Sequence, residues 1–477
     1  MTLAEYAEHD ATALAARLAR GELKQRQVAE LALSALRRVR AALGAVVDIY
    51  DDVPPTLPEA PTGVPSAPFA GVPFLLKDLG TAQAGRPQTC GSRLLRGRVV
   101  RDTGALARRF AELGLVTLGR SATPEFALSL STESQLYGSA KNPWDPTRLA
   151  GGSSGGAAAA VAAGAVPVAH ATDTAGSIRI PASACALVGL KPTRGRLVGN
   201  PTGPSPLRAM DTEFVVSRSL RDAAALFGLL DRFGARAQRT QGLNVAVTTT
   251  PWGGYAIDPE VEAAVWEVAR ELQALGHRVE VASPRFDYDR FVAAATVGWA
   301  VGFDTYLEAL AAELGRPLDA SQLEGVTLAL YRAAKGLSPA AVAHAEAEAR
   351  ALCRQVAPFF RRYDLLVTPT LLHPPEPLGV YHQDRTDLDF EGFFRLCDRA
   401  GVFLPLFNLT GQPALSLPLA WSRAGLPLGV QLVARSAHEE TLLSVAAALE
   451  ARRPWQHRRP RWHVGHASDA PTPTGAP

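Results

Sequence analysis

Two serines lie in small-residue surroundings 24 residues apart, Ser153 in "GGSSGG" and Ser177 in "DTAGS". A serine hydroxyl is a weak nucleophile at neutral pH unless a base takes its proton. The nearby histidine, His170, lies inside the apolar run "VPVAHAT". A histidine in that setting is more often a satisfied member of a sheet than a catalytic base. If the serines are catalytic, their base should therefore lie elsewhere in the chain.

Lys77 is the candidate base, because it ends the apolar run "GVPFLLK". Burial disfavours the charged ammonium and so lowers the pKa of a lysine. Moving that pKa from about 10.4 to about 7 requires roughly 4–5 kcal/mol of differential destabilisation. Only five of the 49 basic residues are lysines, and arginine cannot replace one here because it does not deprotonate in proteins. The alternative is a lysine that pairs with a carboxylate and has only a structural role.

The turn around Ser177 could supply a second catalytic element. It follows the predicted strand "VPVAHAT" and precedes a helix that is predicted to begin near Pro181. The backbone N–H groups of Thr174, Ala175 and Gly176, together with that of Ser177, could converge on one point. Such a set of donors stabilises an oxyanion. Small residues in the turn would let a substrate carbonyl approach the backbone closely.

The segment 151–156 also fits other interpretations. It contains G-x-S-x-G twice, which is typical of the nucleophile elbow of α/β-hydrolases. That elbow needs a strand that runs directly into the serine, whereas the preceding "KNPWDPTRLA" is polar and interrupted by prolines. No Gly-Lys-Ser/Thr follows, so the segment is not a phosphate-binding P-loop. A Gly-Ser turn in which Ser153 or Ser154 caps the next helix remains an alternative.

Hydrophobic periodicity predicts the elements that must position these residues. Helical spacing over about 3–45 is followed by alternating strands and helices, such as "LVTLG", "DPEVEAAVWEVARELQALG" and "DLLVTP". This alternation is typical of an α/β fold. We expect one large domain over 1–458, with a central mixed, largely parallel, twisted sheet covered by helices on both faces. We also expect a cap-like helical region over about 286–361 and a polar, disordered tail over 459–477.

Composition disfavours several classes of function. The net charge is +3, and 47% of residues are hydrophobic and 20% charged, as in ordinary globular proteins. This charge does not predict a nucleic-acid or membrane surface. The arginines and tryptophans near the C-terminus are interpreted as a solvated terminus rather than as a nucleic-acid contact. The sequence contains no uncharged apolar run of about 18 residues, so it predicts no membrane span. The N-terminal residues lack the apolar segment of a signal peptide.

The cysteines indicate a reducing compartment. They are widely spaced and form no CxxC pair, so we expect reduced, buried thiols and a cytoplasmic location. Four residues make up the set: Cys90, Cys185, Cys353 and Cys397. The sequence shows no metal-ligand cluster and no nucleotide-binding loop, so we expect neither a metal nor another cofactor. A homodimer would be unsurprising.

Taken together, these motifs resemble the amidase signature family. The resemblance is carried by "GGSSGGAAAAVAAGAVPVAHATDTAGSIRIPASACALVGLKPTRGRL" and by "AGVPFLLKDL" upstream of it. Further matches are "STESQLYGSAKNPWDP" just before the first segment, and "FNLTGQPALSLPLA" and "GLPLGVQLVA" near the end. The resemblance implies the amidase signature fold, with a signature core over about 70–235.

The resemblance also implies a Ser-Ser-Lys catalytic triad. Ser177 would be the nucleophile that forms an acyl-enzyme, and Lys77 would be the general base. Ser153, which follows a cis peptide bond in family members, would bridge the two. A bridging hydroxyl can pass a proton from the nucleophile to the lysine and later return it to the leaving nitrogen.

Other residues take supporting roles by the same resemblance. Asp173 and Arg179 match family positions and are expected to brace the loop, and Gly151 and Gly152 are expected to contact substrate. The family's second glycine-rich turn has a glycine where this chain has Ala175. Alanine tolerates positive φ less well, so either the oxyanion turn is slightly altered or that position needs no glycine.

The function that the resemblance implies is hydrolysis of a carboxamide or of a small linear or cyclic amide to a carboxylic acid and ammonia or an amine. The pattern is more similar to stand-alone, broad-range amidases than to tRNA-linked members. The alternative is a glutaminase-type subunit of a tRNA-dependent amidotransferase, which would act only within a complex. A catalytically dead binding protein and an α/β-hydrolase esterase are weaker alternatives.

Overall fold

The computed structural model describes residues 1–52, 67–201, 203, 205–235 and 238–466. Within these residues the α-helices are α1 (Leu3–Glu8), α2 (Ala11–Ala19), α3 (Gln25–Leu43), α4 (Ala105–Glu112), α5 (Gly155–Ala162), α6 (Arg179–Ala184), α7 (Leu220–Leu230), α8 (Pro259–Ala274), α9 (Tyr288–Ala300), α10 (Phe303–Leu314), α11 (Gly325–Lys335), α12 (Pro339–Arg362), α13 (Phe390–Gly401), α14 (Pro405–Thr410) and α15 (Glu439–Arg452). The strands are β1 (Val46–Ile49), β2 (Val72–Lys77), β3 (Leu115–Ser121), β4 (Glu133–Ser134), β5 (Gly138–Ser139), β6 (Val168–Asp173), β7 (Val188–Lys191), β8 (Thr212–Ser217), β9 (Asn244–Val247), β10 (Arg278–Val281), β11 (Leu365–Pro369), β12 (Ala414–Trp421) and β13 (Pro427–Ala434).

A single mixed sheet organises the described residues. Its eleven strands lie in the order β1-β3-β2-β6-β8-β7-β12-β13-β11-β9-β10, and β4 and β5 form a separate two-stranded sheet. Parallel pairs join β3, β2 and β6 at one side and β11, β9 and β10 at the other. The neighbours between these two blocks, and the edge strand β1, pair antiparallel. The single α/β domain with a mixed sheet is therefore confirmed.

Antiparallel pairing takes a larger share of the sheet than the alternation of strands and helices predicts. The turn that joins β12 to β13 spans only 422–426, and a connection this short permits only antiparallel neighbours. Elsewhere an intervening helix allows the next strand to enter in either direction, as β8 does beside β6. Alternation in the sequence therefore predicts the class of sheet but not the direction of each strand.

The sheet buries side chains on both of its faces. Along β11, Leu365 and Val367 pack into one hydrophobic cluster and Leu366 into another, because successive side chains of a strand point to opposite faces. The first cluster includes side chains of α3, α5, α7, α8 and α15, and the second includes those of α9, α12 and α14. The prediction of helices on both faces is confirmed.

The N-terminal helices follow the predicted range closely. In α3 the buried side chains recur at helical spacing, as in Val28, Leu36, Val39 and Leu43, which gives the helix one apolar face. The helix ends at Gly44, whose φ of +63° is left-handed and suits glycine. β1 (Val46–Ile49) then begins at the edge of the sheet, directly after the predicted helical range, and no strand was predicted there.

The region from residue 288 to 362 is mostly helical. α9, α10, α11 and α12 cover residues 288–362 with short connections. α9 and α12 pack on the second face of the sheet, and α10, α11 and α13 share a smaller cluster with residues near the end of β2. Trp299 at the end of α9 brings this region to the cavity described below.

Residues 459–466 do not form a disordered tail. Val464 is buried, and its N–H donates to the carbonyl of Ala163 over 3.0 Å. The N–H of Trp462 donates to the carbonyl of Pro143, also over 3.0 Å. The prediction of disorder is wrong for these eight residues. It relied on their polar average composition, whereas Trp462 and Val464 attach the segment to the domain. Residues 467–477, the rest of the predicted tail, lie outside the described residues.

No helix within the described ranges is both long enough and apolar enough to cross a membrane.

Candidate active site

Lys77 is placed by the parallel strands β2 and β6. All six residues of β2 are buried, and the carboxyl ends of neighbouring parallel strands meet at the same edge of the sheet. Lys77 at the end of β2 thereby reaches Thr172 near the end of β6. The Lys77 Nζ donates to Ser153 Oγ over 2.7 Å and to Thr172 Oγ1 over 2.8 Å.

The surroundings of Lys77 favour the neutral amine. Its side chain is fully buried, and this burial lowers the pKa of Lys77 to about 7, although Glu213, Asp173 and Asp211 raise it at longer range. Its hydrogen-bond partners are hydroxyl groups, and it pairs with no carboxylate among the described residues. The alternative of a structural lysine–carboxylate pair is therefore not supported.

Asp78, the next residue, is directed away from this amine. Its carboxylate accepts hydrogen bonds from the N–H of Thr89 over 2.9 Å, from the Thr89 hydroxyl over 2.5 Å and from the N–H of Gly91 over 3.3 Å. Neighbouring side chains in extended backbone point in opposite directions. Asp78 therefore does not pair with the Lys77 amine.

Ser153 lies in the loop before α5, fully buried, and the Gly152–Ser153 peptide bond is cis. Ser154 is the N-cap residue of α5 but makes no side-chain capping hydrogen bond. Its Oγ instead donates to the carbonyl of Thr172 and accepts from the Thr172 N–H, each over 3.2 Å. The alternative in which these serines cap the helix is thus wrong, because their hydroxyls are taken by the strands.

Gly151 and Gly152 serve close packing rather than substrate contact. Both are buried, and neither lines the cavity at Ser177. A Cβ on Gly151 would lie 2.7 Å from Pro181 Cα, and one on Gly152 would lie 2.6 Å from the carbonyl carbon of Leu130. The predicted substrate-binding role is not supported for either glycine, because backbone atoms of neighbouring segments occupy the space where a Cβ would lie.

Asp173 and Arg179 form an ion pair beside the turn that carries Ser177. Arg179 donates to both carboxylate oxygens of Asp173, over 2.9 and 2.8 Å, and both side chains are fully buried. Asp173 also accepts from the N–H of Ile178 over 3.2 Å and from Asn408 Nδ2 over 2.9 Å. Arg179 and the hydrogen bonds together hold the pKa of Asp173 well below its usual range, although burial opposes them.

The predicted set of oxyanion donors needs a correction at Gly176. Its N–H donates to Asp173 Oδ1 over 2.7 Å, so it shapes the turn instead of facing substrate. The N–H groups of Thr174, Ala175 and Ser177 remain as candidate donors. The positive φ in the turn, +125°, belongs to Gly176. Ala175 therefore adopts no left-handed conformation, and the position that holds glycine in the family needs none here.

Ser177 is half-buried and opens onto a mostly apolar cavity. The side chains around it come from the segment after β3, from α6, from the end of α9 and from α13. They include Leu128, Leu130, Ile180, Trp299, Phe393 and Phe394. The described residues show no hydrogen bond between the hydroxyls of Ser177 and Ser153.

His170 is a structural residue, as its sequence context indicates. It is fully buried in β6, and its Nδ1 accepts from the N–H of Lys77 over 3.3 Å while its Nε2 lies 2.9 Å from Glu213 Oε2. These contacts assign the Nε2–H tautomer. Burial lowers the pKa of His170, which keeps the ring neutral, and neither nitrogen contacts a serine.

Three residues near the site were missed by sequence reasoning. Thr172 contacts the Lys77 amine, Asn408 contacts Asp173 from α14, and Asp398 lines the cavity from α13. Thr172 precedes the "DTAGS" turn, but only the pairing of β2 with β6 reveals its contact. Asn408 and Asp398 are more than 200 residues from the turn, and no local pattern signals their approach. No group of three or more His, Cys, Asp or Glu in the described ranges could hold a metal ion.

Comparison with known proteins places this geometry in a family. A model of the family described as Amidase matches residues 55–443. The 6-aminohexanoate-cyclic-dimer hydrolase of Paenarthrobacter ureafaciens is 35% identical over 95% of this chain and 96% of its own length.

Solved structures agree with this assignment. A 6-aminohexanoate cyclic dimer hydrolase complexed with substrate has a TM-score of 0.85 and 32% identity, covering 96% of this chain and 99% of that one. A glutamyl-tRNA(Gln) amidotransferase chain from Thermotoga maritima has a TM-score of 0.70 and 25% identity, covering 97% and 98%. The chain belongs to the amidase signature family, and it is a hydrolase that acts on carbon–nitrogen bonds of amides other than peptide bonds.

Proposed function

We propose that the protein hydrolyses a carboxamide or a small linear or cyclic amide through an acyl-enzyme on Ser177. The observation that carries this proposal is the 2.7 Å hydrogen bond between Lys77 and Ser153 in a fully buried site. A lysine whose pKa is lowered to about 7 is a suitable base near neutral pH.

Acylation begins when Ser177 attacks the substrate carbonyl carbon. The proton of Ser177 passes to Ser153 Oγ as the Ser153 proton passes to the neutral Nζ of Lys77. The carbonyl oxygen becomes an oxyanion, which the remaining N–H groups of the turn stabilise. When the carbon–nitrogen bond breaks, the proton returns through Ser153 to the leaving nitrogen, and ammonia or an amine departs with the acyl group left on Ser177.

Deacylation repeats these steps with water. Lys77 takes the water proton through Ser153, and the hydroxyl oxygen attacks the ester carbon. Collapse of the second tetrahedral intermediate returns the proton to Ser177 and releases the carboxylic acid. Each step uses the same two hydroxyls and one amine, so no other general base is required.

The surroundings of Ser177 support a small amide with an apolar portion. The side chains of Trp299, Phe393 and Phe394 offer aromatic surface close to the nucleophile. A relative that covers nearly the whole chain is named for hydrolysis of a cyclic dimer, which supports a stand-alone amidase. The alternative, a component of an amidotransferase complex, predicts that glutamine releases ammonia only when partner subunits are present.

Labelling with a small fluorophosphonate tests the nucleophile. We expect one adduct by intact-protein mass on the wild type and none on Ser177→Ala, because only an activated serine reacts. Ser436→Ala, which changes an exposed serine, is the control and should label as the wild type does. An adduct that persists in Ser177→Ala would move the chemistry to another serine, and release of ammonia or amine from a panel of amides would test turnover.

We propose a cytoplasmic location because the cysteines are free thiols, two of them buried, and a homodimer that light scattering of the purified chain would detect.

A further inference from the structure

Asp398 is the acid in a mostly apolar cavity wall. It lies on α13, its side chain is only 3% exposed, and it lines the same cavity as Ser177. Its neighbours in that wall include Trp299, Phe393 and Phe394. A buried carboxylate is costly unless it is paired and hydrogen-bonded. The hydrogen-bond partners of Asp398 therefore indicate which kind of ligand the cavity could bind.

One carboxylate oxygen of Asp398 is held and the other is open. The hydroxyl of Tyr288 donates to Oδ2 over 2.7 Å, and the hydroxyl of Tyr255 lies 3.2 Å from that of Tyr288. Oδ1 has no hydrogen-bond partner among the described residues. The two tyrosines thus fix the orientation of the carboxyl group and leave Oδ1 available as an acceptor.

No cation of the described chain neutralises Asp398. Arg395, on the same helix, is the nearby positive charge, but its guanidinium donates to Glu391 over 3.0 Å and to Asp289 over 3.0 Å. Burial accordingly raises the pKa of Asp398 to about 7, against the opposing effects of Tyr288 and Arg395. A positively charged ligand group in the cavity would replace the missing partner and favour the carboxylate.

We infer that Asp398 is a specificity-determining residue, and that the preferred substrate is an amide that carries a second, positively charged nitrogen. The inference rests on the proposed function, because it names the substrate class of the same site. The ammonium group binds Asp398 Oδ1, and the apolar wall binds the carbon chain between the ammonium and the scissile amide. Asp398 takes no part in the proposed proton transfers, so the charge pair acts mainly on KM.

The test compares matched pairs of amides at about pH 8, where Lys77 is neutral and Asp398 is ionised. One pair, 6-aminohexanamide and hexanamide, places the charge on the acyl side. The other, N-(5-aminopentyl)acetamide and N-pentylacetamide, places it on the leaving side. We expect the charged member of at least one pair to have the higher kcat/KM, by roughly 10- to 100-fold, as for a hydrogen bond to a charged group.

In Asp398→Asn, the ratio of kcat/KM for the charged amide to that for its neutral partner should fall close to one, because KM for the charged amide rises. The asparagine side chain still accepts a hydrogen bond from Tyr288 but carries no charge. Asp387→Asn is the matched control: this exposed aspartate pairs with Arg385, and the ratio should stay at the wild-type value. Circular dichroism would confirm that both variants fold. A wild-type enzyme that hydrolyses neither charged amide faster than its neutral partner would overturn the inference.

The two proposals fail in different ways. Hydrolysis of the neutral amides that depends on Ser177, without any preference for charge, leaves the proposed function standing and overturns only the role of Asp398. If no amide in either pair is hydrolysed, calorimetry of pentylammonium binding tests whether Asp398 binds an ammonium group. Binding to the wild type that weakens at least tenfold in Asp398→Asn supports the inference, and equal binding to both overturns it.

Discussion

At the scale of single residues, Lys77 combines full burial with partners that carry no charge. Hydroxyls of Ser153 and Thr172 satisfy its amine, whereas Glu213, Asp173 and Asp211 act only at longer range. A carboxylate in direct contact would favour the charged amine and so remove the proposed base. The site therefore depends on hydroxyl partners as much as on the lysine.

The pH dependence of activity tests this environment. The base form is the neutral amine, and the pKa of Lys77 is lowered to about 7, so kcat/KM should rise about tenfold per pH unit below pH 7 and level off above it. Hydrolysis of hexanamide is the suitable measurement, because an uncharged substrate minimises the influence of Asp398. Lys77→Arg should be inactive at every pH, since arginine keeps its proton. A wild-type profile that is flat from pH 5 to 9, or that falls, would contradict the assignment.

At the scale of elements, the close approach of α5 to the strands positions Ser153. Gly156 in α5 leaves no room for a side chain: a Cβ there would lie 2.3 Å from the Ala122 nitrogen and 2.5 Å from the Ala45 oxygen. Gly228 in α7 has nothing within 4 Å of its Cβ position. The two helical glycines thus differ in the space that a Cβ would have.

Alanine at these two positions should have opposite effects. Gly156→Ala should lower the free energy of unfolding by about 1–3 kcal/mol through overpacking and should reduce activity by displacing Ser153. Gly228→Ala should raise the free energy by about 0.5–1 kcal/mol, because alanine favours a helix. Urea denaturation of both variants measures these changes. A Gly156→Ala protein as stable as Gly228→Ala would show that α5 can move away from the strands.

At the scale of the whole molecule, the N-terminal helix α1 and the segment 455–464 meet on the first face of the sheet. The packing cluster there contains Tyr6 of α1, Trp455 and Val464, and Arg38 donates to the Val464 carbonyl over 3.0 Å. Residues 459–466 therefore belong to the domain, which extends past the predicted boundary at residue 458.

Two truncations measure this contribution. Ending the chain after residue 458 should reduce the free energy of unfolding by about 2–3 kcal/mol relative to a chain that ends after residue 466, because the first exposes the surface that Val464 and its neighbours cover. Comparing the two truncations cancels any effect of residues 467–477. Equal midpoints in urea would contradict the packing of this segment.

Local patterns in the chain were enough to predict the class of fold, most helices and the amidase signature family. Helical and alternating periodicities are local, so they predict α3 and β2 without knowledge of contacts. The "GGSSGG" and "DTAGS" segments with Lys77 are specific enough to indicate the family. The bracing of the turn by Asp173 and Arg179 was also predicted, since both residues lie within the motif.

Only the tertiary structure shows which residues distant in the sequence contact the candidate active site. Thr172 meets Lys77 because β2 and β6 pair in parallel, and Asn408 reaches Asp173 across 235 residues. The use of the Gly176 N–H by Asp173 depends on the conformation of one turn, which composition does not reveal. Asp398 faces the cavity because α13 packs beside the site. These contacts join residues far apart in the chain or depend on exact backbone geometry, and local patterns carry neither kind of information.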